Sequence, residues 1–189
     1  LSSFLICIPL AAYYNFAPVF VEYMKIADPA AKMTLGQMSE VLFMLILPLL
    51  FARYGVKYIL LGGMLAWAVR YVLFAVSAST GTISLVFLGI IFHGICYDLF
   101  FVAGQVYVDK KSTADIRSQA QGFLVLITYG LGMFIGAQVA GYIYNLLLKG
   151  QTALSVQSWQ QFWLVFAVMT TVVIVYFFIG FKDKLNSKE

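Results

Sequence analysis

The sequence has few charged residues, and this shortage restricts the class of protein that it can encode. Only 11% of its 189 residues are charged and 62% are hydrophobic, whereas soluble domains contain about 25% charged and about 45 to 50% apolar residues. Its apolar runs are about 20 residues long and are separated by short polar breaks, which is the length that crosses a bilayer as a helix. The composition therefore predicts an all-α integral membrane protein.

Cysteine and histidine are also scarce, and this argues against several kinds of functional site. Cys7 and Cys96 both lie inside apolar runs, so they suggest neither a disulfide framework nor a metal site. With one histidine and no glycine-rich phosphate loop, the chain offers no metal-ligand cluster and no plausible Ser-His-Asp set. We therefore expect no enzyme activity, no cofactor and no metal.

The apolar runs predict six membrane-spanning helices. Their approximate bounds are Leu1 to Tyr23, Met33 to Ala52, the stretch between Lys57 and Ser77, Ile83 to Val108, Ala120 to Leu148, and Trp159 to Phe181. The fifth run contains a G-x-x-x-G motif, Gly132 and Gly136, which permits close packing of another helix. Six spans also divide into two sets of three, as in transporters built from inverted three-helix repeats.

Basic residues at the span ends predict the orientation. One side would carry Arg53, Lys57, Lys110, Lys111, Arg117, Lys182, Lys184 and Lys188, and the other side only Lys25, Lys32 and Lys149. By the positive-inside rule the first group is cytoplasmic, so both ends of this chain would be cytoplasmic. This topology also explains the net charge of +4 without a nucleic-acid partner. Aromatic residues at span ends fit an interfacial belt: Tyr54, Tyr58, Trp159 and Trp163.

The second span carries two polar side chains, Gln37 and Glu40, in an otherwise apolar run. Placing a charged side chain in a span costs roughly 2.5 to 3.5 kcal/mol. The spacing of three puts both side chains on one helix face. Burial disfavours the ionised carboxylate, so Glu40 is a candidate proton carrier, and Gln37 could bind a polar substrate as donor or acceptor. The alternative for both is a structural hydrogen bond to a neighbouring helix.

The third span contains Arg70, which stays charged and needs a partner inside a membrane. In the fourth span, Asp98 is turned about 140° from His93 around a helix, away from the face that His93 shares with Tyr97. We therefore predict a structural ion pair between Arg70 and Asp98, with proton coupling by Asp98 as the alternative. Glu40 has no obvious cationic partner in the sequence, which makes it the better proton carrier.

Four ordered motifs between Gln37 and Phe123 resemble a known family: Q-M-S-E-V-L-F-M-L-I-L-P-L-L-F-A-R-Y-G-V-K, A-W-A-V-R-Y-V-L-F-A, H-G-I-C-Y-D-L-F-F and A-D-I-R-S-Q-A-Q-G-F. They are similar to the second half of bacterial nucleoside:proton symporters of the major facilitator superfamily. The resemblance implies that residues 1–189 form one domain, a C-terminal six-helix bundle equivalent to helices seven to twelve. A preceding N-terminal six-helix half would be absent from this chain.

The resemblance also implies which residues bind the substrate. The nucleoside would bind between the two halves and contact Gln37, Glu40, His93 and Tyr97, with the aromatic pair stacking on the base. Where the family has a Gln and an Asn on helix seven, this chain has A-A-Y-Y-N, which leaves Tyr14 or Asn15. His93 stands where a Tyr is expected.

The sequence thus favours proton-coupled nucleoside uptake by alternating access in the bacterial cytoplasmic membrane. The expected partners are nucleoside, proton, the lipid bilayer and the N-terminal six-helix half. Two alternatives remain: a proton-coupled transporter of a sugar or another small polar solute, and a membrane receptor that does not transport.

Overall fold

A computed structural model describes residues 1–148 and 155–181, and within these ranges all regular structure is helical. Five helices are long and apolar enough to cross a membrane: α1 (Ser2–Tyr23), α2 (Pro29–Thr80), α3 (Ile83–Lys111), α4 (Arg117–Leu147) and α5 (Val156–Gly180). The prediction of an all-α membrane protein is therefore confirmed. Four of the basic residues that predict the orientation lie outside the described residues: Lys149, Lys182, Lys184 and Lys188.

The 52-residue helix α2 covers the second and third predicted spans and is interrupted at Gly55. The φ of 72° and ψ of 168° at Gly55 are non-helical, and a positive φ is readily adopted only by glycine. Lys25 precedes α2 and Gly81 follows it, and both residues line one cavity, so the two ends of α2 lie close together. Lys57, beside the break, instead donates a 3.0 Å hydrogen bond from Nζ to the carbonyl oxygen of Phe178 near the end of α5. Helix α2 therefore crosses the molecule and returns.

Helices α2 and α3 pack with their backbones in direct contact. The hydroxyl of Ser39 on α2 accepts a 2.9 Å hydrogen bond from the backbone N–H of Gly94 on α3 and donates to the carbonyl of Gly36. A Cβ on Gly94 would lie against the backbone of Ser39 and Glu40. This close approach places Glu40 beside His93, the residue that precedes Gly94.

Helices α1 and α4 pack closely at the G-x-x-x-G motif. A Cβ on Gly136 would lie 2.8 Å from the Cβ of Ala11, and one on Gly132 would lie 2.8 Å from the Cβ of Cys7. The prediction that this motif serves helix packing is confirmed.

An aromatic cluster fills the space between α1, α2 and α5. Trp159 and Trp163 are fully buried in it, and the Trp163 ring lies 4.9 Å from the ring of Phe74. The expectation that these two tryptophans face the membrane interface is wrong, because both indoles are covered by neighbouring rings. Tyr54 and Tyr58, in contrast, are exposed.

Replacing Gly94 by alanine is expected to destabilise the protein by about 1 to 3 kcal/mol, because the new methyl group overpacks the contact with α2. The measurement is the thermal midpoint of the full-length protein in detergent. Gly104→Ala is the matched control, since it lies on the same helix and a Cβ there would have nothing within 4 Å. Equal midpoints for the two variants would contradict the close packing.

Candidate functional site

Helices α1, α2 and α3 line an open cavity of about 450 Å³. This volume lies within the range of about 300 to 1,000 Å³ that is typical of small-molecule sites. The polar and aromatic side chains that line it are Tyr13 and Tyr14 on α1, Gln37 and Glu40 on α2, and His93 and Tyr97 on α3. The cavity thus brings together five of the six residues that were predicted to bind substrate.

The sixth predicted residue, Asn15, is not among those that line the cavity. Its side-chain amide donates a 2.8 Å hydrogen bond to the carbonyl oxygen of Ala11 on its own helix, and the side chain is exposed. Tyr14, the alternative to Asn15, does line the cavity, and its hydroxyl lies 3.3 Å from Nε2 of His93.

Glu40 and Arg70 are connected through His93. Oε1 of Glu40 lies 3.0 Å from Nε2 of His93, and Nη1 of Arg70 donates to Nδ1 on the other side of the ring at 2.9 Å. The side chain of Glu40 is 23% exposed, whereas that of His93 is 4% exposed. The direct partner of Glu40 is therefore His93, and Arg70 lies on the far side of that histidine. We call Glu40, His93 and Arg70 the charged row.

Arg70 is fully buried, and aromatic side chains hold its guanidinium group. Its Cζ lies 3.9 Å from the ring centroid of Tyr13, and such a cation–π contact contributes about 2 kcal/mol when it is desolvated. Nη2 donates to the hydroxyl of Tyr71 at 3.4 Å, and that hydroxyl donates to the carbonyl oxygen of Pro9 at 2.6 Å. The arginine therefore links α2 to α1 as well as to α3.

The predicted ion pair between Arg70 and Asp98 is absent from the described residues. Asp98 is fully buried, and neither of its carboxyl oxygens has a hydrogen-bond partner among those residues. The reason is geometric: Asp98 lies five residues beyond His93, about 7.5 Å along the helix and about 140° around it. Arg70 reaches the level of His93 and is hydrogen-bonded there.

The hydroxyl groups of Tyr97 and Tyr129 are hydrogen-bonded, which joins α3 to α4 at the cavity. Tyr97 directly precedes a π-helical segment in α3, Asp98–Val102. Tyr129 lies within a second π-helical segment in α4, Leu126–Gly132. Such segments are rare and often occur at functional sites.

Sequence reasoning missed two tyrosines near the cavity: Tyr71, which contacts Arg70, and Tyr129, which contacts Tyr97. Tyr71 directly follows Arg70, but neighbouring residues on a helix point about 100° apart, so the sequence does not indicate that they interact. Tyr129 comes from a separate helix, and its contact with Tyr97 arises only when α3 and α4 pack together.

Comparison with known proteins shows extensive similarity to nucleoside transporters. A family model described as "Nucleoside H+ symporter" matches residues 1–186. The chain is 36% identical over 188 residues to the YegT protein of Escherichia coli (strain K12) and 34% identical over 169 residues to nucleoside permease NupG of the same strain. These alignments cover 97% and 88% of this chain but only 44% and 39% of the relatives, so the chain spans less than half of their length.

A solved structure has the same arrangement of helices. The crystal structure of a mutant of nucleoside transporter NupG superposes on this chain with a TM-score of 0.84 and 29% sequence identity. The superposition covers 96% of this chain and 47% of the other.

Proposed function

Because this chain belongs to the nucleoside H+ symporter family, we propose that it is part of a secondary active transporter that couples nucleoside uptake to proton entry. The chain is the C-terminal domain of that transporter, and an N-terminal six-helix half supplies the opposite wall of the substrate site. The coverage of less than half of the relatives supports this division.

The proposed bundle has six spans, because α2 is counted as two spans on either side of Gly55. Residues 29–54 and 56–80 are each long enough to cross a membrane at 1.5 Å per residue. The six spans form two inverted three-helix repeats and correspond to helices seven to twelve of a twelve-helix major facilitator superfamily transporter.

The basic residues support the proposed orientation in the bacterial cytoplasmic membrane. Lys57 contacts the end of α5, and Nζ of Lys110 at the end of α3 lies 5.7 Å from the ring centroid of Phe51, just before the break in α2. These basic side chains therefore lie at one end of the bundle. By the positive-inside rule this end is cytoplasmic, as are both ends of the chain.

The proposed substrate site is the cavity at Gln37, Glu40, His93 and Tyr97, with Tyr14 at its edge. The observation that carries the proposal is a partly exposed carboxylate in a membrane-spanning helix, beside aromatic rings and an amide. A carboxylate and an amide can pair with ribose hydroxyls or a base edge, and aromatic rings can stack on the base. Asn15 remains a candidate only for contacts with the proposed N-terminal half, because it lies outside the cavity.

Glu40 is the proposed proton carrier. Its carboxylate borders the cavity, so water and substrate can reach it. Protonation from outside would precede nucleoside binding, and the loaded halves would rock to release both solutes inside. Asp98 is the second candidate, because a buried carboxyl group without a hydrogen-bond partner is costly as an anion.

Uptake of labelled uridine and adenosine by the full-length transporter in membrane vesicles tests this function. We expect a pH gradient, acidic outside, to drive accumulation, and a protonophore that collapses the gradient to abolish it. Accumulation of a labelled sugar instead would support the alternative substrate class. Saturable nucleoside binding without any uptake would support a receptor and would contradict the proposal.

A further inference from the structure

The charged row constrains where the imidazole of His93 can carry a proton. A guanidinium group has donors and no acceptor, so the 2.9 Å contact from Nη1 of Arg70 requires an unprotonated Nδ1. A neutral imidazole with an unprotonated Nδ1 carries its hydrogen on Nε2. That nitrogen lies 3.0 Å from Oε1 of Glu40, so its N–H points at the carboxylate.

We propose that Arg70 is a positioning residue, which holds His93 in the neutral tautomer with hydrogen on Nε2 and so leaves Glu40 as the one member of the charged row that changes protonation. A second proton on His93 would have to enter at Nδ1. That site faces the arginine, so protonation would break the hydrogen bond and place two cations in contact.

The surroundings of His93 keep its ring in this orientation. The ring of Tyr13 is stacked on it at 4.9 Å between centroids, and Tyr13 itself lies against the guanidinium group of Arg70. A Cβ on Gly36 would lie 3.1 Å from the Cβ of His93, so α2 also packs tightly against the histidine. A 180° rotation of the ring about its Cβ–Cγ bond would place carbon atoms at the positions of both nitrogens and would break their contacts with Arg70, Glu40 and Tyr14.

The titratable groups near the charged row come from three helices. They are Tyr13 and Tyr14 on α1, Glu40, Arg70 and Tyr71 on α2, and Cys96, Tyr97 and Asp98 on α3. Arg70 is the cation in direct contact with the imidazole, and Glu40 is the carboxylate in direct contact with it. These two groups act on opposite nitrogens of the ring.

The fixed protonation of His93 affects how many protons the charged row can couple to transport. With His93 fixed as a donor, Oε1 of Glu40 accepts the same hydrogen bond in both protonation states of the carboxyl group. Its second oxygen has no hydrogen-bond partner within residues 1–148 and 155–181, so it can take the proton or bind the substrate. Only one proton can then be loaded at this row in each cycle. This consequence for coupling rests on the proposed function, whereas the tautomer of His93 does not.

Nitrogen NMR of the full-length transporter labelled with ¹⁵N-histidine tests the tautomer directly. His93 is the only histidine in this chain, and its signals are assigned by their loss in His93→Gln. We expect an unprotonated Nδ1 and a protonated Nε2 throughout the range of about pH 5 to 8, in which an ordinary histidine gains a charge. A protonated Nδ1, in either the other tautomer or an imidazolium, would overturn the proposal.

Two substitutions test whether Arg70 is the cause. Arg70→Met removes both charge and donor, and an imidazolium should then appear as the pH falls. Arg70→Lys keeps both and should preserve the neutral tautomer. If the tautomer stays unchanged in a folded Arg70→Met variant, Arg70 does not position His93. The result for the unmodified protein holds even if the methionine variant fails to fold.

The pH profile of uptake separates this inference from the proposed function. The unmodified transporter should show one titration step from the charged row in its pH profile. Arg70→Met should show a second step. That second step should be absent from the double variant that carries both Arg70→Met and His93→Gln. A purely structural arginine would instead lower uptake equally at every pH, which would overturn the positioning role. Absence of proton-dependent uptake by the unmodified transporter would reject the proposed function and leave the NMR result intact.

Discussion

Replacing Arg70 by leucine is expected to destabilise the folded protein by about 3 kcal/mol or more. Removal of one member of a buried charged network costs about 3 to 5 kcal/mol, and the partial exposure of Glu40 places this case toward the lower end. The change leaves Nδ1 of His93 without its donor, and it removes the cation held against Tyr13. The measurements are the yield of monodisperse full-length protein and its thermal midpoint in detergent.

Arg53→Leu is the matched control for this substitution. Arg53 is exposed near the break in α2, and its contact in the described structure is with the ring of Tyr54 at 5.4 Å. An equal loss of yield in both variants would show that positive charge in general, and not the buried contacts of Arg70, supports folding. A larger loss for Glu40→Gln than for Arg70→Leu would also contradict the assignment.

The double variant Arg70→Leu with Glu40→Gln examines the charge balance of the row. Arg70→Leu alone leaves the carboxylate of Glu40 without the arginine beyond His93, whereas the double variant removes both charges. We expect the double variant to be more stable than Arg70→Leu alone. If the losses of unfolding free energy of the two single variants simply add up in the double variant, the two charges do not interact through the histidine.

Replacing Glu40 by glutamine is expected to abolish accumulation driven by a pH gradient while exchange of nucleoside across the membrane continues. Glutamine keeps the size of the side chain and an oxygen that can accept from Nε2 of His93, but it cannot take up a proton. A gradient of one pH unit supplies about 1.4 kcal/mol per proton, enough for roughly tenfold accumulation. The variant should therefore reach equal concentrations on both sides.

Accumulation and counterflow in vesicles give the two measurements that this prediction needs. Glu22→Gln is the matched control, because it makes the same chemical change at an exposed position near the end of α1 and should leave accumulation intact. Tenfold accumulation by Glu40→Gln would exclude Glu40 as the proton carrier and would direct attention to Asp98. Loss of exchange as well as accumulation would show that Glu40 is needed for binding or movement rather than for coupling alone.

The sequence alone predicted the parts of the molecule that depend on local properties. Apolar runs of the right length predicted the helices because a bilayer sets how many residues a span needs. The bounds of the second and third predicted spans leave a polar break at residues 53–57, and the structure places the non-helical Gly55 inside it. The spacing of Gln37 and Glu40 indicated a shared face, since helical periodicity depends on sequence separation only.

The tertiary structure decided which of these residues meet. The sequence indicated correctly that Arg70 needs a partner, but it could not distinguish His93 from Asp98, which lie five residues apart on the same helix. It also could not show that Trp159 and Trp163 are buried. Helical periodicity gives the direction of a side chain around its own axis. The height and rotation of the neighbouring helix depend on packing between residues distant in sequence, such as Ser39 and Gly94, and that packing brings Glu40, His93 and Arg70 together.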